Sequence, residues 1–251
     1  MLNHPTVDKL NHLRLFGMAR ALAEQGTQRE VDRLAFEERL GLLVDRELTE
    51  RESRQLTSRL RRAKLRETAT PEDVDYRKTR GLDRALFARL LEGRWVAEHH
   101  NILITGPTGV GKTFLACALA NQACRQGHRT LYFRVPRLLQ ELTLARSDGR
   151  YAKLLAQLAR TAVLVLDDWG LAILSAESRR DLLELFDDRH GAASTIITSQ
   201  FPVAHWHDAI GDPTLADAIL DRVIHAAQQL QLTGESMRKQ RKTLTTKSDS
   251  E

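Results

Sequence analysis

Two rhythms of hydrophobic spacing run along the chain, and one replaces the other near residue 100. Over residues 33–48, Phe36, Leu40, Leu43 and Val44 recur at helical spacing on one face. Thr49-Glu50-Arg51-Glu52 then has the form of a capping box. The Thr49 hydroxyl would take the N3 amide while Glu52 reaches back, so a new helix is predicted to start there. That helix places Leu56, Leu60 and Ala63 on one face. Thr68 to Asp75 is polar, contains Pro71 and reads as a linker. Asp83 to Leu91 is a short amphipathic helix stopped by Gly93. No stretch of the first hundred residues alternates with a period of two, so this part is predicted to be helical throughout.

From Asn101 short apolar runs alternate with helical segments. Strands are predicted at Ile102–Thr105, Thr130–Val135, Ala162–Leu166, Thr195–Ser199 and Gln229–Leu232. Helices are predicted at Lys112–Gln126 with Gly127 at its end, from Pro136 onward, at Glu177–His190 stopped by Gly191, and at Thr214–Ala227. The wholly apolar run Ala162–Leu166 suits a parallel strand covered on both faces. Strand–helix alternation implies an α/β fold, a doubly wound parallel sheet with right-handed crossovers. The division expected is a helical module over residues 1–68 and an α/β domain over 69–251.

Composition narrows the class. The 251 residues carry 38 Lys and Arg against 33 Asp and Glu, with 42% hydrophobic residues and a mean hydropathy of -0.38. That is ordinary for a globular protein. No apolar run nears the roughly 20 residues that span a bilayer, and Met1 to Lys9 lacks a secretory h-region. Cys117 and Cys124 lie seven apart in a predicted helix, which excludes a disulfide framework. A reducing cytoplasm, with no membrane, is the expected setting. Basic residues cluster: Arg51, Arg54, Arg59, Arg61, Arg62, Lys64 and Arg66 stand against Glu52 alone, and Arg238 to Lys247 holds five cations and no acid. Such clusters suit a polyanion partner, or else a solvated helix face and a tail.

Chemistry concentrates in three places. Gly106-Pro107-Thr108-Gly109-Val110-Gly111-Lys112-Thr113 is a phosphate-loop pattern between a predicted strand and a predicted helix. Its glycines let backbone amides turn toward the phosphates of ATP, Lys112 reaches the β- and γ-phosphates, and Thr113 offers a hydroxyl to Mg²⁺. Val163-Leu-Val-Leu-Asp167-Asp168 ends an apolar strand in two carboxylates. Asp167 is expected to hold Mg²⁺ through water, and Asp168 to orient the attacking water. Thr195 to Gln200 is a strand with a polar end, where Ser199 either meets the γ-phosphate or simply caps the loop. Farther on, Arg222 is either an arginine finger for a neighbouring subunit or an exposed helix residue. Arg238 either reaches the γ-phosphate or begins the basic tail. His99-His100 and His205-Trp-His207 lack partners at ligand spacing, so no metal is expected there.

In their order along the chain these segments resemble an AAA+ ATPase. More narrowly they resemble the IstB-like ATPases, helper proteins encoded beside insertion-sequence transposases; helicase loaders of the DnaC type are the nearest cousins. The resemblance rests on Leu40-Gly-Leu-Leu-Val-Asp-Arg-Glu, Arg59-Leu-Arg-Arg-Ala-Lys-Leu, the phosphate loop with its strand, Leu164-Val-Leu-Asp-Asp-Trp-Gly170 and Gly234-Glu-Ser-Met-Arg-Lys. It implies that Ser199 is sensor 1, Arg222 the finger and Arg238 sensor 2. Loaders of this type often carry Asn at sensor 1, and Ser is shorter and has no amide to donate. The resemblance further implies a homo-oligomer, a ring or spiral that assembles with ATP on double-stranded DNA and recruits and stimulates a transposase. The alternative is a helicase-loading ATPase on single-stranded DNA. A small-molecule kinase on a phosphate loop is a third reading, which would need an acceptor-binding lid.

Overall fold

Asn101–Thr105, β1, is buried along its whole length, as a strand inside a parallel sheet must be. It lies in a computed structural model that describes residues 5–28, 31–77 and 80–237. The described chain parts into two compact units between Ser58 and Arg59.

The first unit holds helices α1 (Pro5–His12) and α2 (Phe16–Gln25) and most of α3 (Phe36–Ala63), whose residues 59–63 belong to the second unit. α3 is one continuous helix, so the helix start predicted at Thr49 does not occur. The Thr49 hydroxyl instead donates back to the Asp45 carbonyl at 2.9 Å, a bond available inside a helix. Leu43 is buried, whereas Phe36, Leu40 and Val44 are exposed. Glu47 supplies what the start of α2 lacks. Leu15 gives no side-chain cap, and the buried Glu47 carboxylate takes the Gly17 amide at 2.7 Å and the Met18 amide at 3.3 Å.

In the second unit, α4 (Arg84–Leu91) starts on Asp83, whose carboxylate accepts the Leu86 amide at 2.9 Å. After α5 (Arg94–Ala97) and β1 come α6 (Lys112–Arg125), β2 (Thr130–Arg134), α7 (Val135–Ser147), α8 (Tyr151–Ala159) and β3 (Val163–Trp169). They are followed by α9 (Ala176–Arg189), β4 (Ser194–Ser199), α10 (Trp206–Ile210), α11 (Pro213–Ile224) and β5 (Ala227–Gln231). The five strands form one parallel sheet in the order β2-β3-β4-β1-β5.

Alternation along each strand divides the core in two. Ile102, Ile104, Val163, Val165 and Ile196 pack with α4 and α6, while Leu103, Leu164, Leu166 and Ile197 pack with α7, α8, α9 and α11. This is a doubly wound α/β sheet. The stretch Thr68 to Asp75 is not a free linker. It forms a single 3₁₀ turn, Pro71–Asp73, entered by a Thr70/Asp73 capping box, and Ala69 and Val74 are buried in the core beside α4 and α6. Arg189 fastens the far side. Buried and with no carboxylate partner among the described residues, it donates to the carbonyls of Leu158 at 2.6 Å, Thr161 at 2.8 Å and Ser194, and to the Thr195 hydroxyl at 3.0 Å. No helix among the described residues is long and apolar enough to cross a membrane.

Candidate nucleotide site and cationic groove

The phosphate loop joins the carboxyl end of β1 to the amino end of α6. Gly109 and Gly111 hold it open: φ is 88° and 96°, which an L side chain rarely adopts. A Cβ on Gly109 would run into the Ser236 side chain, and one on Gly111 would lie 2.8 Å from Arg80 Nη1. Lys112 Nζ donates to the Gly106 carbonyl at 2.7 Å and to that of Pro107 at 2.8 Å, so the ammonium is tucked under the loop. Burial holds it below the ordinary lysine value, opposed by the charges of Asp167 and Asp168.

β4 lies between β1 and β3, so the loop, the two aspartates and the polar end of β4 meet at one sheet edge. Asp167 is completely buried and accepts from four side chains. Thr113 Oγ1 is 2.9 Å away, Tyr132 donates its hydroxyl at 2.5 Å, Thr198 donates a short bond, and Arg66 Nη1 is 3.5 Å away. Burial and the bond to Asp167 both push the Tyr132 phenol above its usual range, keeping it a donor. Because Thr113 gives its proton to Asp167, its lone pairs stay free. A hydroxyl oxygen beside a carboxylate is a donor set that fits Mg²⁺.

Asp168 follows at a bulge. The register of β3 on β4 shifts between Leu166 and Trp169, and Asp168 takes φ 64°, a left-handed conformation that Asp tolerates better than most residues. The bulge turns its carboxylate outward, where Oδ2 accepts Arg134 Nε at 2.7 Å and lies 3.8 Å from Arg66.

The cleft around these groups holds about 510 Å³ and is lined also by Arg80, Thr108, Gln200 and Met237. Ser199 borders it, but its buried hydroxyl donates to the Trp169 carbonyl at 2.9 Å and accepts the Phe201 amide at 3.1 Å. Its bonding is therefore internal, which favours the loop-capping reading of this residue. Its neighbours on β4 and just beyond reach the site: Thr198 binds Asp167, and Gln200 accepts the Thr108 hydroxyl at 2.8 Å.

Arg222 is elsewhere. It sits at the end of α11, bonded to Asp187 and to the Ala218 carbonyl at 2.8 Å. Its own carbonyl accepts from Asn101, the first residue of β1, so it lies at the opposite end of that strand from the loop. Met237 donates its amide to the Gly109 carbonyl at 2.9 Å, which brings the chain onto the loop one residue before Arg238. Arg238 itself lies outside the described residues.

Three site residues were not anticipated from the sequence: Tyr132, Arg134 and Arg66. The first two had a signal, since they close a strand that precedes the Asp-Asp strand. Arg66 stood in a basic cluster and was counted with the polyanion footprint. That cluster divides: Arg51 and Arg54 pair with Glu47 and Glu50, while Arg59 donates to the Cys124 carbonyl at 2.8 Å. Cys117 and Cys124 are free and buried, and burial pushes the Cys117 thiol up to about 11.

A second concavity, of about 780 Å³, runs along the outer edge of the sheet. It is lined by Arg59, Arg62, Lys64, Arg129, Arg150, Lys153 and Arg160, with Glu141 as its one acid. Arg150 is paired with Asp148.

Comparisons with known proteins agree with this geometry. The family described as IstB-like ATP binding protein matches residues 8–245. An insertion sequence ATP-binding protein of Sinorhizobium fredii is 56% identical over 239 residues, 95% of this chain and 98% of its own length. The insertion sequence IS21 ATP-binding protein of Pseudomonas aeruginosa is 35% identical over 230 residues, 92% of this chain and 85% of its own. The solved structure of DnaI superposes with a TM-score of 0.58 at 26% identity, covering 66% of this chain and 92% of that one.

Proposed function

This chain belongs to the IstB-like ATP-binding proteins, an AAA+ ATPase associated with insertion sequences, and we propose that it assembles with ATP on double-stranded DNA and there recruits and stimulates a transposase. The observation that carries the DNA step is the groove at the edge of the sheet. Seven cations face one acid on the same unit as the phosphate loop. Such a surface holds phosphates without reading bases, so selectivity falls to DNA shape or to the partner.

Within the ATP site, Lys112 and the loop amides of Gly106 to Thr113 hold the phosphates. Thr113 and Asp167 hold Mg²⁺, which when bound neutralises charge on the β- and γ-phosphates. Asp168 orients the water, itself fixed by Arg134. Arg222 serves the neighbouring subunit, exchanging Asp187 for that subunit's γ-phosphate, and the Met237 contact supports Arg238 as a further γ-phosphate ligand. An arginine supplied in trans completes the site only in the assembly, so ATP favours association and hydrolysis weakens it.

Light scattering with ATP or ADP, each with duplex DNA, single-stranded DNA or neither, tests the reading. A large particle is expected with ATP and duplex, and Lys112→Ala is expected to abolish it. Assembly on single strands alone would move the protein to the helicase-loading class, and a monomer under every condition would overturn the proposal.

A further inference from the structure

Arg80 has no assigned role, yet it is 3% exposed and stands on the wall of the nucleotide cleft. Its partners are poor for a buried cation. Nη1 meets the Met237 thioether at 3.6 Å, Nη2 reaches the Asp75 carbonyl at 3.4 Å, and Nε has no hydrogen-bond partner. It forms no salt bridge with a described carboxylate, although the charge of Asp75 acts on it through space. A buried guanidinium left in this state is costly unless an anion joins it. On the cleft side it also meets the phosphate loop: Nη1 packs on the open face of Gly111, where any Cβ would crowd it.

We propose that Arg80 is a phosphate ligand of the nucleotide, and that it binds the diphosphate portion common to ATP and ADP. This deepens the reading of the cleft as the ATP site and depends on it. Nucleotide supplies a bonded counter-ion that the described residues do not, and the chain before α4 is thereby tied to the bound state. Because the ligand is the shared diphosphate, Arg80 sets affinity for both nucleotides and does not discriminate between them.

The test measures ATP and ADP affinity and the nucleotide-free melting temperature for the full-length protein, Arg80→Met, Arg80→Lys and Lys112→Ala. A charge-assisted bond of this kind predicts that Arg80→Met weakens both nucleotides by about 10- to 100-fold. The same change removes an unpaired buried charge, so the nucleotide-free melting temperature should hold or rise. Arg80→Lys should recover part of the affinity. Unchanged affinity in Arg80→Met would overturn the proposal. So would a loss of affinity accompanied by a fall in melting temperature and no recovery in Arg80→Lys, which marks a structural residue. Failure of the unaltered protein to bind ADP would instead overturn the ATP site itself.

Discussion

Removing three cations from the groove at the edge of the sheet should change how DNA binding responds to salt. Arg62, Lys153 and Arg160 line it, are exposed, and make no ion pair among the described residues. Lys64 and Arg129 share that freedom, while Arg150 is held by Asp148 and Arg59 by the Cys124 carbonyl. Five free cations imply a slope of log affinity against log salt of about -4.5 per subunit, hence a loss of about 500-fold between roughly 50 and 200 mM salt. Arg62→Ala, Lys153→Ala and Arg160→Ala together leave two, for a slope of about -1.8 and a loss of only about 10-fold over the same range. Fluorescence anisotropy of a labelled duplex, titrated at several salt concentrations with a non-hydrolysable ATP analogue, reads both slopes. ATP affinity and melting temperature serve as controls and should not move. Parallel slopes for the two proteins would refute the assignment, because phosphates held elsewhere would release the same counterions from both.

Arg222→Ala should leave ATP binding intact and lower turnover in the assembled state by about 10³ or more, and unchanged turnover would place the finger elsewhere. Arg189→Met strips several buried acceptors of their donor and should cost about 3–5 kcal/mol in urea denaturation; a loss under about 1 kcal/mol would refute its role as a fastener. Burial alone would raise the Glu47 carboxyl, but the bond from Arg51 and the Gly17 and Met18 amides hold it below its ordinary 4.5. A depressed carboxyl stabilises the fold above 4.5 and loses that contribution as pH falls through the folded value. The Gly17 and Met18 amide resonances should therefore shift in that acid window, and Glu47→Gln should remove the transition; a persisting transition would assign it to another group.

Local patterns were legible where local chemistry decides the structure. The strand–helix alternation, the phosphate loop and the Asp167-Asp168 strand end depend on neighbours within a few residues and stand close to where the spacing put them, although Asp83 caps its helix from outside and the helix expected to reach Ala227 ends at Ile224, with Ala227 opening β5. The failures came from competition over distance. Thr49 carries a cap pattern, but inside a continuous helix its hydroxyl bonds back to Asp45 instead. The polar run from Thr68 looked unanchored because its two anchors, Ala69 and Val74, are small and isolated. At the end of β4 the ambiguity was one of parity. Successive residues face opposite ways, which gives Thr198 to Asp167 and Ser199 to the Trp169 carbonyl and the Phe201 amide. Arg66, Tyr132 and Arg134 converge on the aspartates from 34 to 101 residues away; strand order hinted at the last two, but no local window places Arg66.

With Arg222 as the proposed finger, a single chain has two unlike poles. β1 is five residues long, so about 15 Å of strand separates the donor of the arginine from the receiver in the phosphate loop. Contacts between unlike patches join copies head to tail, and such contacts close into rings or run on as open helices. An open assembly always has one terminal site without an arginine and one terminal arginine without a site, whatever its length; a closed ring has neither. Turnover per subunit should therefore climb toward a plateau as an open assembly lengthens on longer DNA, and should be independent of DNA length in a ring. Bulk kinetics on a ladder of duplex lengths can thus report the topology of the particle without imaging it.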